Sequence, residues 1–339
     1  ISYISQMRLS KIIFFALLFA FVNLVNAQTN WTGNVDSDWD DAGNWSAGIP
    51  DASDAVTIPD VTNDPVINIA GAVCGALTIE SAGKLTSNNN GGSYDLTANS
   101  INILSGGQLL ITNGEVTSGN FTHTGVLSIT GGTLDINGNY TSSGNVVANI
   151  TGGTIEINGN WDGTSGSGFD PDGGTVFFNS GSDQTISTHA SNNFHNLTFG
   201  GGVKTNTVGS DLVINGNLLI STGTLDMAAD ANTLDIDGNF TLSGVSFIPY
   251  GGTHDIAGNW DDANGTFQAT EGTVTLSGGN SDITTGGSNY FFNLEINSTG
   301  TKTATSNLDI NGVFTLTAGI FDAGSTSIDI VGNWDDSGN

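Results

Sequence analysis

Short segments in which apolar and polar residues alternate recur along most of the chain. In one of them Leu134 and Ile136 flank Asp135. Residues two positions apart lie on the same face of a β-strand, so such a segment directs an apolar pair inward and its polar residue outward. The pattern predicts short, half-buried strands and leaves little of the chain for helices. Segments with this pattern begin at Leu134, Ile155, Leu212, Leu234, Leu308 and Ile328.

Each of these strands ends at a glycine, usually followed by asparagine and an apolar or aromatic residue. Within three runs, successive glycines are 19 and 21, then 22 and 20, then 20 residues apart. We expect the Gly-Asn step to turn the chain, because both residues tolerate a left-handed backbone. The glycines are Gly119, Gly138, Gly159, Gly216, Gly238, Gly258, Gly312 and Gly332.

A strand followed by a corner every 20 residues or so cannot bury its apolar pair alone. Coils stacked about 4.8 Å apart bury one another's pairs in a continuous column. The sequence therefore predicts an all-β fold, a parallel β-solenoid in the form of a three-sided right-handed β-helix with about 20 residues per coil. The abundance of Thr, Asn, Ser and Gly agrees with this fold class.

A longer period is superposed on the coils. The stretch from Gly159 to Gly216 matches the stretch from Gly258 to Gly312, with offsets of 99, 97 and 96 residues, which indicates two modules of several coils. Residues 28–100 contain a concentration of Trp and Pro that suits a capping unit and first coils, and 101–339 carry the solenoid repeats. We interpret the chain as a fragment with an open C-terminal end.

The first 27 residues read as a secretory signal peptide preceded by a few upstream residues. Arg8 and Lys11 form a basic start, 12–25 is mostly apolar, and Ala27 is the small residue at the cleavage site. The apolar run is too short for a membrane span of about 20 residues. We expect a secreted or surface-attached protein without membrane insertion after signal removal.

The composition excludes several partners. The chain has 33 acidic and 5 basic side chains, and its formal net charge is −28. Nucleic-acid binding is excluded because it needs clustered Lys and Arg. Removal of 1–27 leaves no arginine and only Lys84, Lys204 and Lys302. Cys74 is the only cysteine, and we read it as a small buried apolar residue. A self-repelling, monomeric rod is the expected state.

The motifs of the N-terminal stretch and the later repeats resemble repeat regions of large secreted surface proteins of Gram-negative bacteria. This group is similar to right-handed parallel β-helix and haemagglutinin-like adhesins and often carries a C-terminal sorting domain. The resemblance implies a role at the cell surface and covers residues 30–339. The motifs are Trp31-Thr32-Gly33, Asp38-Trp39, Gly43-Asn44-Trp45-Ser46 and Ile49-Pro50, followed by repeated Gly-Asn-Trp, Gly-Thr-Val and Phe-x-Asn-Leu elements.

Enzymatic chemistry has weak support in the sequence. Many parallel β-helices are polysaccharide lyases, which pair calcium-binding carboxylates with an Arg or Lys base, and after residue 27 the chain has no arginine and only three scattered lysines. A hydrolase needs two or three carboxylates, one with a raised pKa. The acidic pairs Asp40-Asp41, Asp261-Asp262 and Asp335-Asp336 recur with the repeat, which favours a scaffold role. We therefore predict no enzyme activity, with a glycan-cleaving hydrolase as the alternative.

Acidic loops make calcium the candidate cation, because Ca²⁺ prefers several carboxylate and carbonyl oxygens on a flexible loop. Turn formation on a soluble surface is the alternative that we favour, with no cofactor. The histidines show no ligand spacing. The candidate calcium ligands are Asp36, Asp38, Asp40, Asp41, Asp261 and Asp262.

Trp39 and Trp45 lie outside the repeat and are the candidates for stacking on a glycan. Aromatic residues at fixed repeat positions are predicted to be core instead. The function that we expect is an extracellular structural or adhesive stalk that makes polyvalent contacts with glycans or other surfaces. The alternatives are the polysaccharide-active enzyme and an ice-binding solenoid, which needs regular Thr-x-Thr rows.

Overall fold

The computed structural model describes residues 28–88, 94–202, 205–227 and 232–336. The predicted signal peptide lies outside these residues. The described chain is all-β apart from one 3₁₀ turn at Ala42–Asn44, and every strand pairing is parallel. Coils of about 21 residues stack into a solenoid of about 13 turns, which confirms the predicted β-solenoid. Among the described residues, no helix has the length and apolarity to cross a membrane.

The strands form three ladders, one for each side of the coil, so that the solenoid is three-sided. The first ladder contains Gln28–Asn30, Ala55–Ile58, Tyr140–Asn145, Trp161–Ser167, Gln184–Ser187, Thr205–Val208, Thr224–Asp226, Leu308–Ile310 and Ile328–Ile330. The second contains Thr133–Ile136, Thr154–Ile157, Thr175–Phe178, Asn196–Phe199, Leu218–Ile220 and Ser281–Thr284.

The third ladder follows the first in each coil. It contains Val66–Ile67, Lys84–Ser87, Gln108–Ile111, Val126–Ile129, Val147–Ile150, Leu212–Ile214, Leu234–Ile236, Thr253–Ile256, Thr273–Leu276 and Trp334–Asp335. Seven longer strands continue around a corner between two ladders. They are Ala72–Ile79, Asp95–Ile103, Glu115–His123, Phe240–Ile248, Trp260–Phe267, Asn293–Ala304 and Phe314–Asp322.

The apolar pairs point inward as the alternation predicts. Leu134 and Ile136 are fully buried, and Leu134 pairs in register with Ile155 on the next coil. Identical steps repeat along each ladder, so the inward side chains form one continuous core cluster. Burial of these pairs is the main stabilising term, because a strand of four residues has no independent stability.

The glycines before the corner asparagines serve a different purpose from the predicted one. Gly138, Gly238 and Gly332 do not adopt the left-handed backbone. A Cβ at Gly238 would instead lie 2.3 Å from the carbonyl oxygen of Gly216 on the preceding coil, and one at Gly332 would lie 2.1 Å from that of Gly312. Close approach of stacked backbones requires glycine here, so the expectation that these glycines provide a left-handed turn is wrong.

The aromatic residues of the Gly-Asn repeats stack on one another inside the core. Tyr140 and Trp161 lie face to face with ring centroids 3.7 Å apart, and Phe240 and Trp260 repeat the arrangement at 4.4 Å. Around Trp161, Phe169 and a second phenylalanine pack edge-on or tilted. The same cluster surrounds Trp260. The prediction that the repeat aromatics are core residues is confirmed for these stacked rings, whereas Trp334 in the last described coil is 52% exposed.

The two modules place this shared stack on different sides of the solenoid. Tyr140 and Trp161 belong to the first ladder, whereas Phe240 and Trp260 belong to the second. Trp334, which matches Phe240 at an offset of 94 residues, lies on the third. Equivalent residues in successive modules are therefore separated by four full coils and two further sides of a coil. Each module is thus rotated about the solenoid axis by one side relative to the module before it.

Candidate functional site

Trp39 and Trp45 are core residues of the N-terminal unit. Their relative exposures are 1% and 5%. Trp45 packs edge-on against both Trp39 and Trp31, with ring centroids 4.7 and 5.0 Å apart. Its indole N–H donates to the carbonyl of Trp39 at 2.8 Å. A sugar needs an open ring face on which to stack, and these rings offer none, so we do not carry the predicted glycan-stacking role of the two tryptophans forward.

The acidic loop beside these tryptophans is organised by a buried asparagine. The side chain of Asn44 accepts from the backbone N–H groups of Val35 and Asp36 and donates to the Asp36 carboxylate at 2.7 Å. Asp38 accepts from Asn68 at 2.6 Å, and Asp41 caps the 3₁₀ turn by accepting from the N–H of Gly43. The carboxylates therefore hold the turn together, as the alternative to calcium binding predicted.

Asp261 and Asp262 point to opposite sides of their strand. Asp262 is fully buried, where it accepts from the indole N–H of Trp260 at 3.0 Å and from the N–H of Gly286 at 2.9 Å. Burial raises the pKa of Asp262. Asp261 lies on the outer face and accepts from the N–H of Ala263. The two carboxylates do not share a site, so this pair cannot act as the two acids of a hydrolase or as joint calcium ligands.

No group of three or more His, Cys, Asp or Glu side chains is arranged to hold a metal ion within the described ranges. Asp40, the remaining calcium candidate, lies exposed in the same loop as Asp38 and Asp41. Calcium binding by Asp36, Asp38, Asp40 and Asp41 stays a prediction, and the hydrogen bonds of Asp36 and Asp41 favour a role in turns.

Several other ionisable groups, whose roles the sequence alone does not determine, are buried in the core. Cys74 is 1% exposed, and burial raises its pKa to about 12, so the thiol is not a reactive nucleophile. His123 bonds to the hydroxyl of Tyr140 and the carbonyl of Gly125, and burial lowers its pKa to about 4. Lys302 donates to the Ala257 carbonyl and the Ser281 hydroxyl. These contacts are structural.

The outer faces carry in-register rows of polar side chains, one residue per coil. Such rows present the same kind of group every 4.7–4.9 Å, which is the spacing of neighbouring strands. One row on the first ladder is Asn30, Thr57, Thr78, Asn102, Thr122, Thr141, Asp162 and Ser187. One on the third is Val213, Asp235, Asp255, Thr275, Glu295, Thr315 and Asp335. We take these rows as the candidate interaction surface.

The row on the second ladder contains an aromatic residue that the sequence analysis missed. Phe177 lies between Glu156 and Thr198 and faces outward, whereas Phe178 beside it is buried. The signal that finds it is a comparison of the modules, because the matching position in the second module is Thr275.

Comparison with known proteins adds one match. A family model described as "Domain of unknown function (DUF8693)" matches residues 30–130, which contain the tryptophan cluster and the first coils. No curated protein and no solved structure matches the chain. In its N-terminal part the chain is therefore similar to a family whose description states no activity, and its fold is known from its own structure.

Proposed function

We propose that the chain is the β-solenoid stalk of an extracellular surface protein and that its outer faces make weak, polyvalent contacts with glycans or other surfaces. The observation that carries the proposal is the register of the outward rows. Thr57, Thr78 and Thr122 stand at the same position of the first ladder, so a ligand with a repeating structure meets a repeating array of hydroxyl and amide groups. Many weak contacts of this kind sum to useful avidity.

The charge distribution supports a surface that contacts neutral or cationic material. Acidic side chains such as Asp235, Asp309 and Asp329 lie on the outer faces, and Asp309 pairs directly with Asp329 on the next coil. The rod repels itself and other polyanions. We therefore expect a polysaccharide to bind through hydrogen bonds to the hydroxyl and amide groups of the outer faces.

Adhesion measurements on the three faces test the proposal. Residues 28–339, attached to beads at high density, are expected to adhere to at least one of neutral polysaccharide, a cell surface or a mineral surface. Replacement of Thr57, Thr78 and Thr122 by alanine removes three hydroxyls from one row while the core stays unchanged. A triple variant on the second ladder, T97A/T117A/T198A, removes the same number of hydroxyls from another outward row and is expected to lose a similar part of the adhesion.

A polyvalent surface predicts partial loss of adhesion in a row variant and stronger adhesion at higher bead density. Absence of adhesion by the unchanged chain to every surface would contradict the proposal. Release of new reducing ends from a polysaccharide would favour the hydrolase, and inhibition of ice growth would favour the ice-binding alternative.

A further inference from the structure

The outward row of the second ladder is mostly polar and contains one aromatic residue. The row reads Val73, Thr97, Thr117, Asp135, Glu156, Phe177, Thr198, Leu219, Thr241 and Asp261, with Phe177 near its centre. Phe177 is partly exposed on a face whose other members are mostly polar, and Leu219, two coils further on, is 37% exposed. Thr198 lies between these two residues in the row, so Phe177 and Leu219 are separate apolar groups on a mostly polar face.

The ring of Phe177 is held close to the sheet by a glycine. A Cβ built at Gly200 would lie 2.6 Å from Cε2 and 3.0 Å from Cζ of Phe177. A side chain at Gly200 would displace the ring from this place, and glycine lets it rest over the backbone of the following coil. Phe177 and Gly200 act as a pair, with the ring lying along the sheet.

The second module lacks this pair. Thr275 stands where the first module has Phe177, and Asn297 stands where it has Gly200. Thr275 donates to the carboxylate of Glu295 on the next coil at 3.2 Å, so the matching surface there is polar throughout. An aromatic residue and the glycine that accommodates it thus occur together once, as expected of a local function and not of a repeated scaffold.

Polar groups able to bind hydroxyls border the ring. Asn179 donates to Glu156 Oε2 at 3.2 Å, which fixes an amide and a carboxylate beside Phe177. Asp135 adjoins Glu156 on the preceding coil. Carboxylates accept hydrogen bonds from sugar hydroxyls but repel anionic sugars.

We propose that Phe177, Glu156 and Asn179 form a binding site for a neutral hexopyranose unit of a glycan. The apolar C–H face of the sugar stacks on the Phe177 ring, and its hydroxyls bond to Glu156 and Asn179. This site rests on the proposed function, because it supplies one specific contact within the polyvalent surface. Uronic-acid units are excluded by the adjacent carboxylates.

Saturation-transfer NMR and calorimetry with three neutral probes, cellohexaose, mannohexaose and maltohexaose, test the site. At least one probe is expected to bind residues 28–339, while hexagalacturonate does not bind. Phe177→Thr, which installs the residue of the second module, is expected to weaken that binding about tenfold. Phe177→Trp keeps an aromatic face and is expected to retain it. Phe292→His, which exchanges another partly buried ring for its module counterpart His195, is the matched control and is expected to bind like the unchanged chain.

A purely structural role for Phe177 gives a different result, because an aromatic ring that covers a glycine also stabilises a sheet. Phe177→Thr would then lower the melting temperature without changing probe binding. That outcome, or the absence of binding by all three neutral probes, overturns the site. Bead adhesion of the unchanged chain is measured separately, so its failure marks the failure of the stalk proposal itself.

Discussion

The backbone N–H of Asn239 donates to the side-chain oxygen of Asn217, which occupies the same corner one coil earlier, at 2.9 Å. Each corner asparagine thereby caps a backbone donor of the following coil that would otherwise lack a protein partner. The asparagines form ladders that run parallel to the axis beside the aromatic stacks. The ladders are Asn120–Asn139–Asn160 and Asn196–Asn217–Asn239–Asn259.

Removal of one rung tests the ladder. Asn217→Ala takes away the acceptor for the Asn239 N–H, and we expect a loss of about 1 kcal/mol in the free energy of unfolding, measured by urea denaturation. Asn217→Asp keeps an acceptor oxygen at the same place and is expected to lose less. Equal losses in the two variants would contradict the role of the amide oxygen.

Glycine at the corner is required by the distance between coils. Gly238→Ala places a Cβ 2.3 Å from the carbonyl oxygen of Gly216, and we expect it to destabilise the chain by about 1–3 kcal/mol. Gly279→Ala is the matched control, because a Cβ at that position would have no atom within 4 Å and the Gly279 backbone is not left-handed. A similar urea midpoint for the two variants would show that the coils move apart freely.

The local pattern of apolar and polar residues, with the spacing of the glycines, was sufficient to predict the strands, the inward-facing apolar pairs and the length of a coil. The alternation around Asp135 and the spacing of Gly138 and Gly159 are properties of the sequence itself. The reason for glycine at the corners was not predictable, because it depends on the approach of backbones about 20 residues apart. The rotation of the modules was not predictable either, because it depends on how many loop residues form each corner.

The candidate site was less predictable than the fold. Trp39 and Trp45 stand outside the repeat, which suggested a surface role, yet their rings pack against each other and build the core of the N-terminal unit. Asp261 and Asp262 look alike in sequence but differ in burial, because adjacent strand residues face opposite ways. Phe177 stands out only when the modules are aligned on their coils.

The burial of His123 makes the free energy of unfolding depend on pH. Burial lowers its pKa from 6.5 to about 4, so the unfolded chain binds the proton first as the pH falls. The contribution of neutral His123 is complete above pH 6.5 and is lost between pH 6.5 and 4. We expect the unchanged chain to lose up to about 3 kcal/mol relative to His123→Gln across this interval, since one pKa unit corresponds to about 1.4 kcal/mol. Carboxylates titrate in both proteins and cancel, so parallel pH profiles would contradict the assignment.

The acidic rows cost stability at neutral pH. Partial loss of hydration, followed by the carboxylates of Asp255 and Asp237, raises the pKa of Asp235. The destabilisation therefore develops as the pH rises from the ordinary pKa of 3.8 to this raised pKa, and it is absent well below pH 3.8, where Asp235 is protonated in both the folded and the unfolded chain. Asp235→Asn is expected to add about 0.5 kcal/mol at pH 7 in low salt, with a smaller gain in 1 M NaCl. A gain that does not change with salt would point to packing.

Module equivalence allows a shorter chain with the same architecture. Deletion of residues 218–313 joins Asn217 to Phe314, which takes the place of Leu218 at an offset of 96 residues. We expect this variant to unfold cooperatively, as expected when matching repeat interfaces are preserved. Deletion of 218–312 leaves one residue more and turns each following side chain to the opposite face, so this control is expected to be much less stable.

The dissociation rate from a surface tests the polyvalent stalk most directly, and the module deletion provides the comparison. On a sensor coated with the neutral polysaccharide that the beads recognise, the unchanged chain and the variant lacking 218–313 share Phe177, Glu156 and Asn179 but differ in the length of their outward rows. We expect the unchanged chain to dissociate at least about tenfold more slowly, because avidity grows with the number of contacts. Equal dissociation rates, or no binding by either chain, would contradict it.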